Sequence, residues 1–340
     1  MTDPITDTTN EAPLEPDLPI CDPHHHLWRR PDNLYLLDDF LRDATGGHHI
    51  VSSVAVECGA MYRETGPPEL RPVGETEFLE GIAFENARAD NRASVAAAIV
   101  AYADLALGDG VAEVLEAHLE AGPDRLRGIR YSTMWDASDA FRSVERPGLL
   151  RDSAVRKGMG CLRRCGLSFD AWLYHPQLPE LVELARAFPD LPIILDHIGG
   201  PLGLGPYEGR RDEVFQAWSA DIAALSECPN VALKLGGVGS LRSGYDWHTR
   251  EPGPASAELA EAMRPYFEFC IEKFGPGRCM FESNFPVDRV SYSYVSVWNA
   301  FKIVSRGYSE TERAALFHDT AARVYRLDSG ANPSLIRTRA

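Results

Sequence analysis

Three consecutive histidines, His24, His25 and His26, follow Asp22-Pro23 and precede Leu27-Trp28. They stand at the end of the first apolar segment, Leu18 to Cys21. Side chains two apart on a strand point to one face, so His24 and His26 would present two imidazoles together. Two imidazoles at a strand's end can grip one metal ion, histidine being the commonest metal ligand. The plainer readings are a solvated loop or a tag. The run is too short and too embedded between Asp-Pro and Leu-Trp for a tag.

Other residues able to do chemistry stand at the ends of later apolar runs. Glu57 follows Val54-Ala55-Val56, and Glu282 follows Met280-Phe281 and precedes Ser283-Asn284. A carboxylate there is costly to bury unless it is paired or ligated. Arg130, His175, Asp196, His197 and Lys234 occupy comparable positions. His175 and His197 could instead bond to loops, Arg130 could form a structural ion pair, and Lys234 could pair with a carboxylate inside the fold. Tyr62 lies on a loop over 59–74 that is rich in Gly and Pro and able to cover a site. His48 and His49 precede the second run and carry no expectation of chemistry.

These residues need elements to hold them. Eight short apolar runs read as strands: Leu18–Cys21, Ile50–Glu57, Val95–Ala101, Gly128–Tyr131, Ser168–Tyr174, Ile193–His197, Val231–Leu235 and Cys279–Glu282. Helical patterns lie between them and continue to Tyr325. Eight strands alternating with helices predict one α/β domain, a closed (β/α)8 TIM barrel, whose chemistry collects at the carboxyl ends of the strands. An open doubly wound sheet would carry a Gly-rich phosphate turn after an early strand, and none is present. Residues 1–17 hold five acids and no Lys or Arg, which reads as a flexible tail. The expected boundaries are a tail over 1–17, a barrel over 18–330 and a second tail over 331–340.

The bulk properties narrow the function. The 340 residues carry a formal charge of −16, without a basic patch, which argues against nucleic-acid binding. No apolar run approaches the length of a membrane span, and the N-terminus lacks the features of a signal peptide. Seven cysteines at irregular spacing read as reduced thiols of a cytoplasmic protein. A homo-oligomer stays open.

Four segments carry a resemblance: 22–28 (Asp-Pro-His-His-His-Leu-Trp), 194–201 (Ile-Leu-Asp-His-Ile-Gly-Gly-Pro), 230–237 (Asn-Val-Ala-Leu-Lys-Leu-Gly-Gly) and 280–287 (Met-Phe-Glu-Ser-Asn-Phe-Pro-Val). Together with Ala-Ala-Arg-Val-Tyr-Arg-Leu at 321–327 they resemble the amidohydrolase-2 family, which includes sugar lactonases, dicarboxylate lactonases and metal-dependent decarboxylases. The resemblance implies that His24 and His26 are first-strand metal ligands and that His175 and His197 are the histidines of strands five and six. The strand-eight position, normally Asp, is Asn284, and an amide cannot take a proton from an attacking water at neutral pH.

Glu57 and Glu282 supply carboxylates beside that departure, and mixed His and carboxylate ligation suits redox iron. The Glu-Ser-Asn-Phe-Pro motif also resembles a branch of TIM-barrel non-heme diiron monooxygenases. On that resemblance the expected cofactor is two iron ions held by His24, His26, Glu57, His175, His197 and Glu282, with Asn284 as ligand or neighbour. Asp22 and Asp196 would orient imidazoles. Arg130, Tyr62 and Lys234 would face a bulky hydrophobic substrate, hydroxylated with O2 and an electron donor. The alternative is a hydrolase or lactonase with one Zn or Mn ion, Arg130 then holding a substrate carboxylate.

Overall fold

The computed structural model describes residues 11–31, 33–89, 93–138 and 141–327. Eight strands form one parallel sheet in chain order: β1 (Pro19–His25), β2 (His49–Val56), β3 (Ser94–Tyr102), β4 (Leu126–Ser132), β5 (Ser168–Trp172), β6 (Ile193–Leu195), β7 (Val231–Leu235) and β8 (Cys279–Phe281). Helices follow the strands and cover the outside, so the strands are buried on both faces and read as apolar runs. This is the expected (β/α)8 barrel.

The barrel closes without a full ladder between β1 and β8. His25 and Phe285 form an isolated parallel bridge. His26 N donates to Phe285 O at 2.8 Å and Asn284 N donates to His24 O at 2.9 Å. Asp22 ties the same seam, accepting from Ser283 Oγ at 2.6 Å, Ser283 N at 3.1 Å and the Tyr294 hydroxyl at 3.0 Å. Asp22 therefore fastens the last strand to the first rather than steering an imidazole.

Inside the barrel, side chains alternate inward along each strand. Val54, Val56, Ala98, Val100, Ile194, Ala232 and Met280 fill the lower layer, and Ala321 and Tyr325 plug it from the C-terminal helix. The Tyr325 hydroxyl donates to Asp170 Oδ2 at 2.6 Å, where apolar filling gives way to charge. Gly128 has no alternative at its level, because a Cβ there would stand 2.2 Å from Ser168 Oγ.

Several sequence expectations shift. The strands β5 and β6 stop at Trp172 and Leu195, two residues earlier than their patterns suggest. A short hairpin, Trp28–Arg30 with Asn33–Tyr35, and the helix Leu37–Ala44 lie between the first two strands, where the sequence pattern assigns no element. Of the expected N-terminal tail, residues 1–10 lie outside the described residues, but 11–15 are bound. Leu14 N donates to Asn299 Oδ1 at 2.7 Å, Lys302 Nζ donates to Leu14 O at 2.7 Å, and Glu11 Oε1 accepts from Ser256 Oγ at 3.0 Å. Residues 331–340 also lie outside the described residues. Among the described residues no helix is long and apolar enough to cross a membrane.

Candidate metal centre

The strand ends deliver one buried polar cluster. His24 comes from β1 and His26 from just beyond it, Asp196 and His197 from the turn after β6, Glu282 and Asn284 from just beyond β8, Arg130 from β4 and Lys234 from β7. His24, Asp196 and His197 can each offer one ligand atom, all within 4.8 Å of one another. The His26 ring stands 4.9 Å from the His24 ring, and its Nδ1 bonds to Val56 O at 2.8 Å, which leaves Nε2 for the mouth.

Close approach here needs missing side chains. A Cβ on Gly237 would lie 2.3 Å from His197 Cγ, and one on Gly236 would lie 2.4 Å from Glu282 Cγ. Both glycines follow β7, and their bareness lets β6 and β8 bring His197 and Glu282 together. His197 and Asn284 also adopt left-handed backbone, with φ of 55° each. Such residues cost about 1–3 kcal/mol. The hydrogen bonds from His197 N to Glu282 Oε1 at 3.1 Å and from Asn284 N to His24 O hold them there.

Charge organises the cluster. Glu282 Oε1 bonds to His197 Nδ1 at 2.7 Å, and Oε2 lies 2.9 Å from His24 Nδ1. Burial opposes the Glu282 charge, but His197 and His24 outweigh it and hold its pKa at about 2. Burial, then Lys234, pushes the His24 pKa well below the usual value; burial, then Arg130, does the same for His26. Both imidazoles are thus neutral near pH 7, the form that ligates metal. Lys234 Nζ pairs with Asp170 at 3.0 Å and Asp196 at 2.9 Å; burial works against its charge, and Asp196 and Asp170 keep it protonated.

The expected iron ligands separate. Glu57 is taken by Arg130, whose Nε donates to Glu57 Oε1 at 2.6 Å and whose Nη2 donates to Glu57 O. Glu282 carries two imidazoles. His175 falls in a helical turn after β5, where Pro176 follows it and Gln177 caps Tyr174 N. There His175 Nδ1 accepts from Leu202 N at 3.3 Å and the ring packs 5.1 Å from Tyr207, outside the group able to hold metal. Asp196, expected behind an imidazole, stands within that group. Tyr62 is half-buried and does not line the cavity at the mouth. Arg130 does line it but is committed to Glu57. Asn284 Nδ2 donates to Asp288 Oδ1 at 2.9 Å. A carboxylate only accepts, so that bond leaves Asn284 Oδ1 for the cavity it lines.

Sequence reasoning passed over Asp170, Asp288 and Glu75. Asp170 sits in Ser-Phe-Asp-Ala-Trp, and the buried-charge argument applied to Glu57 would have found it. Glu75 Oε1 accepts from Cys58 N at 2.9 Å and Ala60 N at 3.2 Å, which shapes the chain just after Glu57. Burial, then Glu57, raises the Glu75 pKa from 4.5 to about 7. A raised folded pKa favours the protonated folded state, so its contribution is full below about pH 4.5 and gone above about pH 7. Native protein should lose about 3 kcal/mol of stability across that window through this group. The Glu75→Gln variant should lack that slope, as urea unfolding at pH 5 and pH 8 would show.

A sequence model described as amidohydrolase matches residues 21–327. The chain is 35% identical over 333 residues to the uncharacterized protein y4mH of Sinorhizobium fredii, covering 92% of this chain and 99% of that one. It is 28% identical over 284 residues to an L-fucono-1,5-lactonase of Burkholderia ambifaria, covering 79% and 88%. A crystal structure of an amidohydrolase from Burkholderia multivorans with bound zinc superposes with a TM-score of 0.69 at 25% identity, covering 90% and 99%. These relatives overturn the oxidoreductase expected from the Glu-Ser-Asn-Phe-Pro motif, since the activities they name are hydrolytic. The chain belongs to the amidohydrolase family.

Proposed function

We propose that this protein is a metal-dependent hydrolase that opens lactones, working with one divalent ion of the zinc or manganese kind. The observation that carries the reading is Asp196. It is fully buried beside His24 and His197; Lys234 pairs with its Oδ1 at 2.9 Å, but its Oδ2 has no hydrogen-bond donor among the described residues, the Arg130 guanidinium standing 3.8 Å away. A buried carboxylate oxygen without a donor is costly, and a further cation among these ligands would satisfy it. Charge balance points the same way. Among the described residues Glu57, Asp170, Asp196 and Glu282 have two permanent cations beside them, Lys234 and Arg130, which leaves a formal excess of two carboxylates around His24 and His197. The lactone substrate rests on the sugar lactonase among the relatives.

His24, Asp196 and His197 would hold the ion, with His26 beside them. When bound, it would supply Lewis-acid polarisation of the ester carbonyl. Glu282 fixes the His197 tautomer by taking its Nδ1 proton as a hydrogen bond, the usual support of a ligating imidazole. Asn284 offers its Oδ1 to the substrate or to water, and Asp288 holds that orientation. Asn284 can position a water but cannot deprotonate it.

Metal analysis of purified protein should find about one divalent ion per chain. Chelation should abolish acid release from L-fucono-1,5-lactone, and zinc or manganese should restore it. Full hydrolysis by metal-stripped protein, or no hydrolysis across a panel of lactones by loaded protein, would reject the reading.

A further inference from the structure

A cavity of about 360 Å³ opens at the amino ends of the strands, the face opposite the metal centre. Asp190 and Pro192 reach it from ahead of β6, Pro229 and Asn230 from ahead of β7, and Arg278 from ahead of β8. Arg323 and Arg326 reach it from the C-terminal helix and the residues that end it. The cavity at the mouth is smaller, about 200 Å³. Small-molecule sites span roughly 300–1,000 Å³, so the amino-face cavity has the room of one. Reactions on this fold take place at the carboxyl ends, so an occupant here stands apart from the chemistry.

The floor of the cavity is the bore of the barrel. Ile194 and Ala232 belong to the lower layer of inward side chains, two residues before Asp196 and Lys234. Two residues of strand rise about 7 Å, so the floor lies just under the charged layer. Ala232 keeps 8% of its surface exposed, the most of any residue in that layer, and its methyl leaves room beneath Lys234. Val324, next to the Tyr325 plug, adds a third apolar surface.

The rim is cationic. Arg278, Arg323 and Arg326 line the cavity against one carboxylate, Asp190, on a chain of net charge −16. The field of the whole molecule disfavours anions, so this excess is local. Pro189, Pro192 and Pro229 have no N–H, which leaves the guanidiniums to hold an anion. The three are not equivalent. Arg278 is half-buried and gives Nε to Phe274 O at 3.0 Å, Nη1 to Cys228 O at 3.0 Å and Nη2 to Ser226 O at 2.9 Å, so it supplies fixed charge more than free donors. Burial pulls its pKa down, and the Cys279 and Cys228 thiols, not a carboxylate, work the other way. Arg326 is half-buried and gives Nη2 to Arg127 O at 3.2 Å. Arg323 is exposed, gives Nη2 to Gly277 O and forms no ion pair among the described residues. A guanidinium has five N–H donors, so Arg323 keeps most of its fork for a ligand.

We propose that this cavity is a second ligand site, taking a small carboxylic acid with an apolar body. The body lies on Ile194, Ala232 and Val324. The carboxylate sits in the Arg323 fork, with Arg278 and Arg326 supplying charge around it. An apolar floor alone would suit a neutral molecule, and a cationic rim alone would suit inorganic phosphate; the two together select an anion with an apolar body. The inference does not depend on the lactone-hydrolase reading.

The probe is 4-fluorobenzoate, followed by fluorine NMR on the full metal-loaded chain. Wild type should bind it. Its neutral counterpart 4-fluorobenzyl alcohol, and inorganic phosphate measured by displacement, should each bind at least about 10-fold more weakly. Arg323→Ala should weaken 4-fluorobenzoate roughly 10-fold, the loss of a hydrogen bond between charged groups, and Arg323→Lys should keep part of the affinity. Ala232→Leu should fill the floor and remove binding, with a thermal melt to confirm folding. Arg242→Ala, at the mouth, should leave binding unchanged, which separates this site from a carboxylate held there. The probe should also raise the Tm of wild type more than that of Arg323→Ala, because it binds the folded chain. Affinity unchanged in Arg323→Ala, affinity lost in Arg242→Ala, or phosphate binding as tightly as the probe would overturn the inference.

Discussion

Asp196→Asn is expected to strip the metal and to lower lactone hydrolysis by more than about 100-fold. Mutating even the outer partners of metal ligands costs about 10- to 100-fold in affinity or activity, so losing a ligating charge should cost at least the upper end. The fold should survive, because Lys234 keeps Asp170 as its partner at 3.0 Å. Glu57→Gln is the contrasting case. Glu57 is spent on Arg130, so that variant should keep its full metal content while Arg130 loses its anchor. Elemental analysis of both variants, with a thermal melt to confirm folding, checks the pair. Normal metal content in Asp196→Asn would place the ion elsewhere, and metal loss in Glu57→Gln would return Glu57 to the ligand set.

The largest effect on stability should come from Lys234→Met. The ammonium is fully buried between Asp170 and Asp196, with His24 Nδ1 3.1 Å away. Removing one member of a buried pair costs about 3–5 kcal/mol, because the other charge stays behind unpaired. Here two carboxylates are left behind, so the loss belongs at the upper end. The double variant Lys234→Met with Asp170→Asn removes one stranded charge and should regain part of it. Urea unfolding at pH 7.5 measures both. A single-variant loss below about 1 kcal/mol would mean that Lys234 is not what neutralises this layer.

Much of the architecture could be read from the chain because parallel strands buried on both faces leave short apolar runs between helical patterns. The site's location was legible for a related reason. Glu57, Glu282, Asp196 and Lys234 are costly groups in apolar company, and each marks a place where something must compensate it. What compensates it was not legible. Glu57 and Arg130 were both visible, but only their meeting through space makes Glu57 a counter-ion instead of a ligand. Two iron ions lose their support on that distinction and on His175, which stands beyond the end of β5 against Leu202 and Tyr207. The acidic composition of residues 1–17 suggested a free tail, because the partners of 11–15, among them Asn299, Lys302 and Arg313, are single side chains nearly 300 positions away.

The joint between β1 and β8 is where the barrel wall closes. Only a handful of main-chain bonds and the Asp22 clasp span it, and they run through His24, His26, Asn284 and Phe285. An ion seated on His24 from one bank and on Asp196 and His197 from the other side of the bore would act as a rivet near the weakest join of the wall. Loading the protein would then also tighten its hoop, and emptying it would let the stave ends breathe.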